Sequence, residues 1–274
     1  GRGLRVVNCY FHHNENGILA AASAGTVEVL HSEFGWNGFG DGGSHNIYVA
    51  GGERFVLHGS YMHHAKAGNV VKSRAAVNIF TYNRLSQETG DGSYELDISN
   101  GGQALVLGNV IQQGMESVNE HMITFGMEGA RRGSKMVFSH NTVVNIRPSA
   151  RYFLHAPGTV IEARNNLFAG KAVMGLNDGA PPAGNVLDPE MKVMDAAGHN
   201  YAPGPGSPAI DAARDAGEWD GKRVIPEWQY VKPGCVQARV AHGRMDAGAI
   251  EAGSNDAPAV CTAAPAPAVD KKKK

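Results

Sequence analysis

Cysteine is scarce in this chain: 274 residues hold three of them, with no CxxC pair and no HExxH signature. That excludes a disulfide-dense scaffold and the common dithiol and zinc motifs. No apolar run approaches the roughly 18 residues that cross a membrane. The formal net charge is −1, so no basic field awaits a nucleic-acid backbone. No Asn-x-Ser/Thr acceptor occurs, and no window of 11 or more residues keeps a 3.6-residue period, which disfavours helical solenoids. Glycine, by contrast, is abundant at 36 residues beside 13 prolines, and 42% of the chain is apolar. These numbers describe a turn-rich polypeptide with enough material for a large core.

The ends read differently from the middle. Residues 1–4 run straight into an alternating stretch, which reads as a mature or trimmed start, whereas 257–268 is Ala/Pro-rich and 271–274 is a bare lysine run, a solvated tail or linker. Cys235 and Cys261 either close one bridge over the C-terminal region, leaving Cys9 single, or all three stay as thiols.

A repeat organises the rest. Cys9, Ser32, Ser60, Asn83, Asn109, Asn141 and Asn166 recur at intervals of 23 to 32 residues. Two residues after them stand Phe11, Phe34, Met62, Leu85, Ile111, Val143 and Phe168; three before stand Val6, Val29, Leu57, Phe80, Val106, Phe138 and Ala163. Five before, Leu4, Val27, Phe55, Ala104, Met136 and Ile161 extend the apolar row, broken only by Asn78. Rows two residues apart share one face of a strand. The break in alternation at the anchor predicts a bend between two short strands, where stacked amides can hydrogen-bond to one another.

On these residues the chain resembles the right-handed parallel β-helix proteins of the pectate-lyase-like superfamily, over roughly residues 4–188. The resemblance implies an all-β solenoid of about seven coils, with the parallel β-helix in 1–188, a C-terminal capping segment in 189–252 and a tail in 253–274. Segments 206–211 and 244–251 look like the end piece of such bacterial proteins and are expected to cover the last coil's open edge. The implied location is secreted, cell-surface or periplasmic, and the implied partner is an acidic polysaccharide rather than nucleic acid or membrane.

Function on a solenoid sits on outward residues of neighbouring coils. Segments 44–49, 68–74 and 94–99 align so that Ile47, Val49, Val71, Leu96 and Ile98 point inward. Tyr48, Lys72, Arg74, Glu95 and Asp97 are then expected to face solvent as one patch, with Lys72 between Tyr48 and Asp97. The stretch from Lys72-Ser73 to Asn100-Gly101 is similar in layout to the chondroitinase B and alginate lyase family. There a lysine before a serine is the base of β-elimination, which places Lys72 in that role. The family's arginine would fall at Ser99, and its acidic calcium ligands at Ala65 and Ala67; calcium is the one cofactor the resemblance leaves open.

Elimination needs a base, a cation against the carboxylate and a proton donor. Lys72 is the expected base, Arg74 the carboxylate clamp, and Tyr48 or His63 the donor, with His45, His64, Glu95, Asp97 and Asn100 as substrate-binding residues. The pairs His12-His13 and His63-His64 suggest turn residues or a platform of His45 with His63 or His64, and no zinc site is expected. Met115, Met122 and Met127 read as core filling around the longest loop, 114–133, which would overhang the patch. Two alternatives stand beside the lyase. One is glycoside hydrolysis by Glu95 and Asp97, about 6.6 Å apart along one strand. The other is a non-catalytic glycan-binding or structural rod.

Overall fold

Each repeat makes one turn of a parallel β-solenoid, and the corner at the anchor explains why. In the computed structural model, which describes residues 2–176, 184–253 and 257–261, the residue before each anchor has positive φ. Asn8, His31, Gly59, Tyr82, Gly108, His140 and Asn165 lie between 46° and 68°. Only two are glycine, so five side chains accept a conformation costing about 1 to 2 kcal/mol each. The anchors compensate by a hydrogen-bonded ladder. The backbone N–H of each anchor is received by the side chain of the next, from Cys9 onto Ser32 through to Asn141 onto Asn166, at 2.8 to 3.2 Å. Asn185 adds an eighth rung, and each asparagine side chain also donates to a carbonyl of the preceding strand, as Asn109 does to Phe80.

The corner separates two sheets. Sheet A comprises Gly3–Val7, Thr26–Leu30, Arg54–His58, Val77–Thr81, Gln103–Leu107, Lys135–Ser139 and Val160–Arg164. Sheet B comprises Tyr10–His12, Glu33–Gly35, Tyr61–His63, Arg84–Ser86, Val110–Gln113, Thr142–Asn145, Leu167–Ala169 and Val186–Asp188. Sheet C, on the third side, holds Ile18–Ala20, Ile47–Val49, Val71–Ser73, Leu96–Ile98, His121–Phe125 and Arg151–His155. The six strands of sheet C define about six turns, where about seven coils were expected; the seventh passes through sheets A and B and touches sheet C only through a bridge at Val173.

The apolar rows pair in register and fill the interior. Val29, Leu57, Phe80, Val106 and Phe138 stack along sheet A, and Phe34, Met62, Leu85, Ile111 and Val143 along sheet B, each fully buried. Asn78, the exception in its row, is buried with Ser73 donating to its Oδ1 at 2.5 Å and its own Nδ2 donating to Ala75. Met122 lies in this core, whereas Met115 and Met127 are exposed, which corrects the expectation for those two. Residues 114–133 are not one loop, because His121–Phe125 continues sheet C through them.

Beyond Val186–Asp188 the chain forms three antiparallel pairs and folds back along the rod. The reason is the outward face of sheet A, where Leu30, Val56 and Ile79 meet Trp219, and Tyr82, Leu107 and Val137 meet Ala216, Val224 and Val236. On sheet B, Val144, Leu167 and Ala169 meet Tyr201, Ala209, Ala247 and Ala249. These strands are apolar on both faces and need cover on both. Cys235 and Cys261 form a disulfide that ties down the returning strand, and Cys9 is free and exposed.

Candidate functional site

Sheet C turns its free face to solvent, and its register decides what stands there. Tyr48 pairs with Lys72, and Lys72 with Asp97, so the three lie on adjacent rungs of one wall. Ile47, Val49, Val71, Leu96 and Ile98 point into the core, each 0% exposed. Lys72 Nζ and the Arg74 guanidinium both lie over the Tyr48 ring, 5.6 and 5.5 Å from its centre. His45 meets the same ring edge-on at 5.3 Å, and its Nδ1 accepts the Asn69 backbone N–H at 2.9 Å.

A residue the sequence reading did not nominate completes the arrangement. Glu128, on the arm that follows His121–Phe125, places one carboxylate oxygen 2.6 Å from Lys72 Nζ and the other against Arg74. Asn100 holds that arm by donating to the Glu128 and Gly129 carbonyls, and Arg131 donates to the Arg74 carbonyl. Asn100 therefore contacts the overhang rather than the open wall. No sequence periodicity links Glu128 to Lys72, because the arm reaches back across two turns.

Asp97 shares the wall but not the solvent. It is 3% exposed, receives bonds from Asn69, Ser99 and Thr124, and lies 3.4 Å from Lys72 Nζ. Burial raises its pKa, with Thr124 and Lys72 opposing. Glu95, expected in the open, is wholly buried, and burial raises its carboxyl well above the usual range, with a hydrogen bond from its own backbone and the charge of Arg147 opposing. For Lys72, burial works to lower the pKa, but the Glu128 hydrogen bond and the charges of Asp97 and Glu128 outweigh it, so the net shift is upward. His45 is pushed down to about 4 by burial first and the Lys72 charge second.

His63 and His64 do not join this wall. They end a strand of sheet B, where His63 Nε2 lies 3.1 Å from Glu33 Oε1 and the two Nδ1 atoms are 2.7 Å apart. The expected platform with His45 is replaced by one around Trp36, which stacks on His13 and His64. The signal for this was in the sequence: His63 stands three after the anchor Ser60, one past the inward Met62, hence outward on the second strand. The motif Tyr-x-His-His occurs at both Tyr10 and Tyr61.

For calcium, the residues do not fit. Ala65 and Ala67 carry no donor side chain, and among the described residues no group of three or more His, Cys, Asp or Glu is disposed to hold a metal ion. Fold and walls together define the chain as a parallel β-solenoid with a polar outer wall on sheet C. Comparison with protein-family models, curated proteins and solved structures finds no match.

Proposed function

We propose that the protein is a carbohydrate-active β-solenoid that acts on an acidic, uronate-containing polysaccharide by β-elimination, in the manner of the pectate-lyase-like and chondroitinase B families that its sequence resembles. The observation that carries this reading is the Glu128 carboxylate gripped by Lys72 and Arg74 over Tyr48. A clamp that fits one carboxylate fits another, and a uronate ring extends the contact onto the aromatic face.

With Glu128 withdrawn, the Arg74 fork would hold the substrate carboxylate and lower the cost of the carbanion. Lys72 would take the proton alpha to that carboxylate, the C–H electron pair would form the double bond, the β-carbon–oxygen bond would break with its pair on the leaving oxygen, and that oxygen would receive the Tyr48 proton. His63 is on another wall, which leaves Tyr48 as the donor. Lys72 must first lose a proton, and departure of Glu128 removes a contribution that holds it charged. Glu95 and Asp97 are too deeply buried to flank a glycosidic bond, so hydrolysis by that pair is not part of the proposal.

Incubation with polygalacturonate, alginate and chondroitin tests the reading through the ultraviolet absorbance of the unsaturated product. Lys72→Ala is expected to lower the rate about 100-fold or more; equal rates in both forms remove the base assignment. The upward shift of Lys72 favours a second reading, glycan binding without turnover, which retained binding with no absorbance would select.

A further inference from the structure

Sheet B carries a second polar wall, independent of the one above. Its floor is the outward row Glu33, Tyr61 and Arg84, paired rung to rung. Lys232, from the returning C-terminal segment, forms one rim, with Nζ 5.1 Å above the Tyr61 ring and 3.9 Å from Glu88 Oε1. The stacked rings of His13, Trp36 and His64 form the other. Gly35 lies under the His63 ring, where any Cβ would collide with it, so that His63 can lean down to Glu33.

Two carboxylates on this wall reach solvent, with side chains 27% exposed at Glu33 and 11% at Glu88. Their surroundings drive them apart. Glu33 is raised by burial and by the charge of Glu88, against Lys232 and His12. Burial also acts to raise Glu88, but the Tyr61 hydroxyl it accepts and the charges of Arg84, Lys232 and His199 prevail and hold it low. Opposed shifts in paired carboxyls mark an acid and a base. The Glu33 and Arg84 rungs are two strand spacings apart, roughly 9.6 Å, and Glu88 ion-pairs with Arg84 at 3.4 Å. Tyr61 stands on the rung between and donates to Glu88, so an aromatic floor separates the rung of Glu33 from the ion pair of Glu88.

We propose that this wall is a second reaction centre, a glycoside-hydrolysing site for neutral glycans in which Glu33 is the acid and Glu88 the base. As the anomeric C–O bond breaks, its electron pair stays on the leaving oxygen, which takes the Glu33 proton. A water oxygen forms the new C–O bond from the opposite face, and its proton passes to Glu88. One water is consumed, two hydroxyls appear, and nothing is oxidised or reduced. The proton then returns from Glu88 to Glu33. A relay is built for the Glu33 end: with Glu33 ionised, His63 donates from Nε2 to it, His64 Nδ1–H donates to His63 Nδ1, and the Thr89 hydroxyl donates to His64 Nε2. Protonating Glu33 reverses every bond in that chain, which links Glu33 to exposed Thr89. Neutral substrates are specified because Arg84 and Lys232 are already committed to Glu88, and two carboxylates repel a uronate.

The test uses the full chain with soluble β-glucan, xylan and mannan, following reducing ends, double-bond absorbance and, by NMR, the product anomer. Reducing ends with inverted anomer and no absorbance are expected. Glu33→Gln and Glu88→Gln should each lower the rate about 100-fold or more, while Glu190→Gln, 73% exposed, leaves it unchanged. Among the described residues the Glu33 carboxylate bonds one side chain, His63, so Glu33→Gln decides the matter even where Glu88→Gln disturbs folding, with circular dichroism as the check. No reducing ends from any of the three polymers, or release that persists in Glu33→Gln, overturns the proposal. Because uronate elimination is read by absorbance, the two readings fail separately.

Discussion

His58 shows how one buried residue contributes to the pH behaviour of the fold. Its ring lies between those of His31 and Tyr82, with Nδ1 2.8 Å from the Thr81 hydroxyl. Burial first, and the charge of His31 second, push its pKa down from 6.5 to about 4. The unfolded chain therefore takes up this proton before the folded one does. The stability tied to neutral His58 is complete above pH 6.5 and is lost as pH falls toward 4, with a slope of about 1.4 kcal/mol per pH unit. His58→Gln should flatten the pH dependence of the unfolding free energy from urea titrations over that window by up to about this slope; a curve parallel to wild type would show that folding leaves the His58 pKa unshifted. The same residue scale explains what was legible. The asparagine anchors are readable because each must satisfy the same corner, whereas the burial of Glu95 follows from cover that no local pattern encodes.

At the scale of one element, the arm bearing Glu128 decides what the sheet C wall presents. It brings a carboxylate from 54 and 56 residues away onto Arg74 and Lys72. Glu128 is 40% exposed, so the pairing is screened and worth at most on the order of 1 kcal/mol. Glu128→Gln should raise the affinity for polygalacturonate several-fold by calorimetry at low ionic strength, and lower the Lys72 pKa by lysine NMR. An unchanged affinity together with an unchanged lysine titration would mean that the arm does not compete for the clamp. The expectation that residues 114–133 overhang the patch rests on the length of that stretch alone. Which of its residues lands on Lys72 was not foreseeable, since a contact made across two turns leaves no period in the sequence.

For the molecule as a whole, the returning C-terminal segment completes both the fold and the second wall. It supplies Lys232 and His199 beside Glu88, and its last described strand contact, Val236 with Val260, is bracketed by the 26-residue disulfide loop. Closing a loop of that length is worth about 3 kcal/mol. Replacing Cys235 and Cys261 by serine should lower stability by about that amount in denaturant titrations, with hydrogen exchange rising in Trp228–Val231 and Cys235–Ala238 while the solenoid core stays protected. Uniform loss of protection along the rod would show that segment and rod unfold as one.

The sequence by itself determined the winding. Inward rows two residues apart, and an amide at each corner, can be satisfied only by stacking turn on turn, so Val29, Leu57 and Phe80 announce their register without coordinates. It also placed Tyr48, Lys72 and Asp97 on adjacent rungs, because register within a stack is local arithmetic. Only the tertiary structure decided what remained open on the walls. Burial of Asp97 and Glu95, arrival of Glu128, and the return of the C-terminal segment along sheets A and B all depend on long-range packing, where distance along the chain carries no information about distance in space.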